Sequence, residues 1–140
     1  MTMNEVFADT SGWGNFFVRT EPFHLRSKNL MNQWHTKRFR IITTNYVLIE
    51  LIALFTSPLR IPRVHQIKII ETIKTASWVE IIHINRALDD EAWTLLKERE
   101  DKNWSQVDCA SFVVMRHRNI IEALTTDPHF EQAGFVRLLK

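Results

Sequence analysis

Cysteine is nearly absent. Cys109 stands alone, so no disulfide can close within the chain, and a reducing compartment is expected. Glycine and proline are scarce, at 3 and 4 of 140 residues, which argues against disordered or low-complexity tracts and predicts short loops. Long apolar runs are missing too. The longest, Tyr46 to Phe55, is too short to cross a bilayer and carries Glu50 inside it. The opening Met1-Thr2-Met3-Asn4-Glu5 has no basic segment leading into an apolar one, so no secretory signal is expected. The net charge is only +2, too mild to imply a polyanionic partner by itself. What remains is a cytoplasmic protein without a membrane segment, a single domain over residues 1–140. Its 45% of hydrophobic residues can build a core without staples.

The apolar pattern changes period along the chain. Val6 to Ala8 reads as a buried strand, with Thr10 or Ser11 capping the helix after it. A helix is expected from Phe23 or His24 to Lys37, and a strand over Phe39 to Thr43. Thr44 or Asn45 then caps a helix ending before Ser57-Pro58. Pro62 starts a helix with Val64, Ile67, Ile70 and Ile73 on one side. Trp78 to Ile84 reads as the third strand and Asn85 to Arg99 as a helix. Ser105 caps a helix to His117. Ile120 to Leu124 and Phe135 to Leu139 are the fourth and fifth strands. Alternating strands and helices predict an α/β fold with a mostly parallel sheet of four to five strands, covered on both faces.

Four acids occupy places where chemistry is done. Asp9 and Asp127 follow the first and fourth strands, where open parallel sheets form their sites. Asp108 opens an amphipathic stretch three residues after Ser105, a capping-box spacing. Asp127 precedes Pro128, as a helix cap would. Glu50 lies three residues after Val47 and four before Leu54, on the apolar face of its helix. A carboxylate there needs a cation, a donor or a proton. Gathered together, the four would make a hard-oxygen pocket suited to magnesium or manganese, the equipment of a metal-dependent phosphodiesterase.

Basic residues cluster at Arg19 to Arg40, at Arg60 to Lys74 and at Arg116-His117-Arg118. They read either as a grip for a polyanion or as solvated surface. The histidines lack paired ligand spacing; His24, His117 and His129 read as surface or packing residues, and Cys109 as core.

Four segments together resemble the PIN-domain family, and within it the VapC-type toxins of bacterial toxin–antitoxin pairs. They are Val6-Phe7-Ala8-Asp9-Thr10-Ser11-Gly12-Trp13, Thr43 to Leu51, Asp101 to Phe112, and Ala123 to Phe135, in family order. The resemblance implies a three-layer α/β/α sandwich. It implies an acidic pocket of Asp9, Glu50, Asp108 and Asp127, with Asp9, Asp108 and Asp127 as the metal ligands and Thr10 and Ser105 in support. It also implies a Mg2+- or Mn2+-dependent endoribonuclease cutting single-stranded RNA, a homodimer, and a cognate antitoxin. The antitoxin would offer an arginine to the acids and an apolar helix to a groove between the Phe16-Phe17 helix and the Pro62 to Ile73 helix, whose large apolar residues read equally as core. The loop Arg19-Thr20-Glu21-Pro22-Phe23-His24 departs from the family, where an Asp often precedes the His.

The competing class is a non-catalytic RNA-binding PIN-like module, which the complete set of acids argues against. A phosphotransferase built on Asp9 would want an acid two residues later, where Ser11 stands.

Overall fold

The computed structural model describes residues 4–140; Met1–Met3, the start of the segment read above for a signal, lie outside the described residues. Five strands form one parallel sheet in the order β3-β2-β1-β4-β5. They are β1 (Glu5–Ala8), β2 (Arg40–Thr44), β3 (Val79–Ile82), β4 (Glu122–Leu124) and β5 (Val136–Arg137). The helices are α1 (Thr10–Phe17), α2 (His24–Thr36), α3 (Asn45–Thr56), α4 (Arg63–Thr75), α5 (Arg86–Glu98), α6 (Gln106–Arg118) and α7 (Pro128–Gln132). They complete the expected α/β/α sandwich. Among the described residues no helix is long and apolar enough to cross a membrane.

Val6, Phe7 and Ala8 are fully buried, as a central parallel strand requires, because both its faces are covered. The chain leaves β1 towards β2 on one side and returns through β4 on the other. The order therefore reverses beside β1, and the crevice beyond the carboxyl ends of β1 and β4 is the switch point where such sheets bind ligands.

Local chemistry sets the element ends, and some expectations shift. Asp9, not Thr10 or Ser11, caps α1. Thr44, Asn85 and Ser105 cap α3, α5 and α6. The third strand stops at Ile82 because the Ile84 amide donates to the Asn45 side chain, outside the ladder. The fourth begins only at Glu122. Ile120 is apolar because its side chain is buried in the core, and its amide donates to Met115 O behind the left-handed Asn119, closing α6. Helix α6 is not amphipathic either. Cys109 through Met115 are buried without a break, because α6 packs on α3, α5 and α7.

Candidate functional site

Asp9 ends β1 and turns the chain into α1. Its Oδ1 accepts from the Gly12 amide at 2.8 Å and from Ser11 Oγ at 2.8 Å; its Oδ2 accepts from Thr125 Oγ1 at 2.6 Å. Gly12 lets this happen: a Cβ there would stand 1.9 Å from the Leu124 carbonyl oxygen. The start of α1 thus lies directly against the end of β4. Ser11 Oγ accepts from the Thr126 amide and Thr125 Oγ1 from the Asp127 amide, each at 2.9 Å. These bonds fix the loop after β4 to the loop after β1. Burial pushes the Asp9 carboxyl up to about 7 against the opposing pull of its three donors.

Glu50 extends from α3 towards the same place. Thr10 Oγ1 donates to its Oε1 at 2.5 Å, and Oε2 has no hydrogen-bond partner among the described residues. Partial burial raises its proton affinity, and Asp108 and Asp127 add to the effect. Asp108 makes the predicted capping box with Ser105: its Oδ2 accepts from the Ser105 amide and Ser105 Oγ accepts from the Asp108 amide, both at 3.0 Å. Its carboxyl is also raised, first by burial and then by the charge of Asp127. Asp127 caps α7, accepting from the His129 amide at 2.9 Å.

All four acids, with Thr10, line one open cavity of about 360 Å³ that no lysine or arginine lines. Ser105 acts from behind, holding Asp108. The tightest group within the cavity region is one the sequence reading missed. Single ligand atoms of Asp108, Asp127 and His129 lie within 4.8 Å of one another. His129 Nδ1 stands 3.1 Å from Asp108 Oδ2 and 3.3 Å from Asp127 Oδ1. His129 is therefore not the surface or packing residue expected. The available signal was its place in the first turn of α7, which brings its ring back over its own cap. Asp9 and Glu50 line the cavity outside that trio.

Fit to a divalent cation can be judged from the donors. The carboxylates offer hard oxygens suited to magnesium or manganese, and Asp9, Glu50 and Asp108 have proton affinities raised first by burial; the His129 imidazole serves Asp108 and Asp127 as a polar neighbour. Among the described residues no lysine or arginine lines their cavity.

Other expectations need correction. Arg118 is not part of a polyanion grip. It spans Glu5 and Glu80 at the amino end of the sheet, donating to Glu5 Oε1 at 3.2 Å and to Glu80 at 2.9 and 3.1 Å. His117 pairs with Glu91. The apolar groove lies between α3 and α4, about 420 Å³ lined by Leu48, Ile49, Ile52, Ile70 and Ile81. Phe16 and Phe17 do not line it; they pack on Trp13 and on each other. His24 has the packing role expected, its Nδ1 bonded to Asn15 O at 2.9 Å.

The PIN domain family model matches residues 6–136. Two relatives, each named "23S rRNA-specific endonuclease VapC20", come from the Mycobacterium tuberculosis strains CDC 1551 / Oshkosh and ATCC 25618 / H37Rv. Each is 30% identical over 134 residues, covering 95% of this chain and 97% of the relative. A crystal structure of Mycobacterium tuberculosis VapC20, described as a Sarcin-Ricin loop cleaving toxin, matches with a TM-score of 0.84 and 30% sequence identity. That match covers 96% of this chain and 99% of the other.

Proposed function

The chain belongs to the PIN-domain family, and from that premise we propose that it is a divalent-metal-dependent endoribonuclease, the toxin of a toxin–antitoxin pair. The observation that carries the reading is the cavity where acids from four distant segments meet with no lysine or arginine in its lining. Such a wall repels RNA unless a cation is held there.

Asp108 and Asp127 would hold the cation, Mg2+ or Mn2+, with Asp9 beneath them directly or through water. When bound, the cation supplies Lewis acidity at a phosphate oxygen and a lowered pKa for water. The residues do the rest. Ser105 and the α7 cap fix Asp108 and Asp127 before substrate arrives. Ser11, Gly12 and Thr125 fix Asp9. Thr10 pins one oxygen of Glu50 and leaves Oε2 to accept a proton from the attacking water. His129 aligns the facing oxygens of Asp108 and Asp127.

The partner would be an antitoxin whose apolar helix fills the α3/α4 groove, where Ile49 is 66% exposed. A homodimer, a cytoplasmic location and a single domain over 1–140 complete the proposal.

The test is cleavage of single-stranded RNA. Wild type is expected to cut with Mg2+ or Mn2+ and to stop on chelation. Asp9→Asn and Asp108→Asn are expected to lose about a thousandfold, the several kcal/mol that a positioned metal contributes. Equal cleavage by all three proteins sinks the proposal, and metal-independent binding without product makes the chain a binding module instead.

A further inference from the structure

A second cavity, of about 320 Å³, adjoins the acidic one and shares Ser11, Leu54 and Thr126 with it. Its far wall is the departing loop noted in the sequence: Glu21, Pro22 and Phe23 face Gly14 and Asn15 of α1. We infer that this cavity is a subsite for one unpaired nucleobase of the RNA, flanking the phosphodiester over the acids, with Phe23 as the stacking surface and Glu21 as the acceptor for the base's amino or imino hydrogens. The inference rests on the nuclease reading for its substrate.

Four features carry it. The two cavities are neighbours with Ser11, Leu54 and Thr126 in both walls, so a strand whose phosphate lies over the acids can bring its neighbouring base to the second cavity. The volume sits near the lower end of small-molecule sites, roughly 300–1,000 Å³, in keeping with one planar heterocycle rather than a folded element. The wall is rigid. Asn15 is buried and spends both ends of its amide on backbone: Nδ2 donates to Ser11 O at 2.9 Å and Oδ1 accepts from the Phe23 amide at 2.9 Å. The same asparagine therefore locks Phe23 to the helix that carries Asp9. Last, the lining holds no lysine or arginine, and the Glu21 carboxylate has no hydrogen-bond or ion-pair partner among the described residues. That combination repels phosphate but accepts the N–H edge of a base, while an aromatic face supplies stacking. Guanine, adenine and cytosine offer such an edge with an amino group; uracil offers only its imino hydrogen. The cavity should therefore disfavour uracil.

Two readouts test this. With Mg2+, single-stranded oligoribonucleotides carrying 2-aminopurine at successive positions, with phosphorothioate links that slow cutting, are titrated with wild type, Phe23→Leu and Glu21→Gln. Phe23→Leu keeps apolar bulk against the core and removes the flat ring; Glu21→Gln is a mild change on a loop. One labelled position is expected to be quenched by wild type, and that quench to be lost with Phe23→Leu. With Mg2+, oligonucleotides varied one base at a time are then cut. Wild type should disfavour uracil next to the cleaved bond by about tenfold, the scale of one stacked and hydrogen-bonded base. Glu21→Gln should flatten that preference. Cleavage whose base preference and quench survive both variants overturns the subsite and leaves the nuclease reading intact. No cleavage by wild type, with a Phe23-dependent quench, overturns the nuclease reading and leaves the subsite. Equal quench at every position, unchanged by Phe23→Leu, overturns the subsite whatever the cleavage.

Discussion

The two ends of the sheet hold the same kinds of side chain in opposite electrical states. At the amino end, Glu5 on β1 and Glu80 on β3 share the guanidinium of Arg118, and Arg40 Nε stands 3.8 Å from Glu80. The hydrogen bonds from Arg118 hold the Glu80 carboxyl below its ordinary range. At the carboxyl end, Asp9, Glu50 and Asp108 are all raised, and burial is the first cause each time. The amino end pairs its acids with guanidinium groups of its own. The carboxyl end keeps its acids partly dehydrated and unneutralised, held only by hydroxyls, amides and one imidazole. A folded chain tolerates that state as a standing cost when function requires it. On the proposed reading, the acids of the amino end serve stability and those of the carboxyl end wait for an external cation.

The largest effect expected from this contrast is on pH dependence. An unfolded Asp9 ionises near 3.8, the folded one only at about 7. Between those values the folded state binds more protons. Without metal, stability therefore falls as pH rises from about 4 to about 7 and levels off above, by up to roughly 4 kcal/mol for Asp9 alone. Glu50 and Asp108 are shifted in the same direction. Glu80 acts with the opposite sign: its contribution is lost only as pH falls below the usual carboxylate range. Thermal melts in chelator should show both limbs, and Asp9→Asn should flatten the neutral one. A stability that climbs steadily from pH 4 to 8 would break the comparison.

The next test installs at the carboxyl end what the amino end already has. Leu54 lines the acidic cavity one turn beyond Glu50 on α3, so Leu54→Arg places a guanidinium at the favourable i+4 position. Mg2+ affinity, measured by titration calorimetry, should fall about a hundredfold, with cleavage falling in step. Stability in chelator above pH 7 should not fall. Unchanged metal affinity would mean that the acids do not act together.

Residues differ in how far local sequence reveals them. Asp9, Asp108 and Asp127 were legible because strand ends and helix starts leave chemical marks. For Asp108 and Asp127, a capping role and a site role looked like alternatives, and for Asp9 a loop acid at a helix start stood beside the site role. Geometry makes the two compatible: Asp108 Oδ2 accepts from the Ser105 amide in the capping box of α6 and also lies 3.1 Å from His129 Nδ1, in the cavity shared with Asp127. Glu50 was legible from the helical period alone. His129 was not, because its role depends on α7 folding back over Asp108, 21 positions earlier. Arg118 misled for the same reason. Its neighbours Arg116 and His117 made it look like part of a charge run, and only the order β3-β2-β1 brings Glu80 and Glu5 to it. Phe16 and Phe17 read equally as groove or as core, and they pack on Trp13, a choice that spacing alone cannot make.

A smaller effect comes from opening the amino end. Arg118→Ala leaves two partly buried glutamates beside each other without their guanidinium. Because the arginine is about one-third exposed, solvent replaces part of what is lost. A destabilisation of about 1–3 kcal/mol is expected by chemical denaturation, with kcat for RNA cleavage unchanged. Loss of activity in a protein still folded at the assay temperature would mean that the two ends are coupled, contrary to the comparison.

The smallest change separates a positioned acid from a merely present one. Thr10→Val keeps the shape of the side chain and removes only the hydroxyl that donates to Glu50 Oε1. The Glu50 carboxylate then loses the donor that favours its ionised form, so its proton affinity rises further. The cavity keeps every acid, and metal affinity should change little, because Asp108, Asp127 and His129 are untouched. Cleavage should fall about tenfold, as for loss of an orienting partner, and the acid limb of the rate profile should move to higher pH. Should Thr10→Val instead weaken metal binding and leave that limb in place, Glu50 belongs with the cation-holding residues and not with the water it is here assigned to orient.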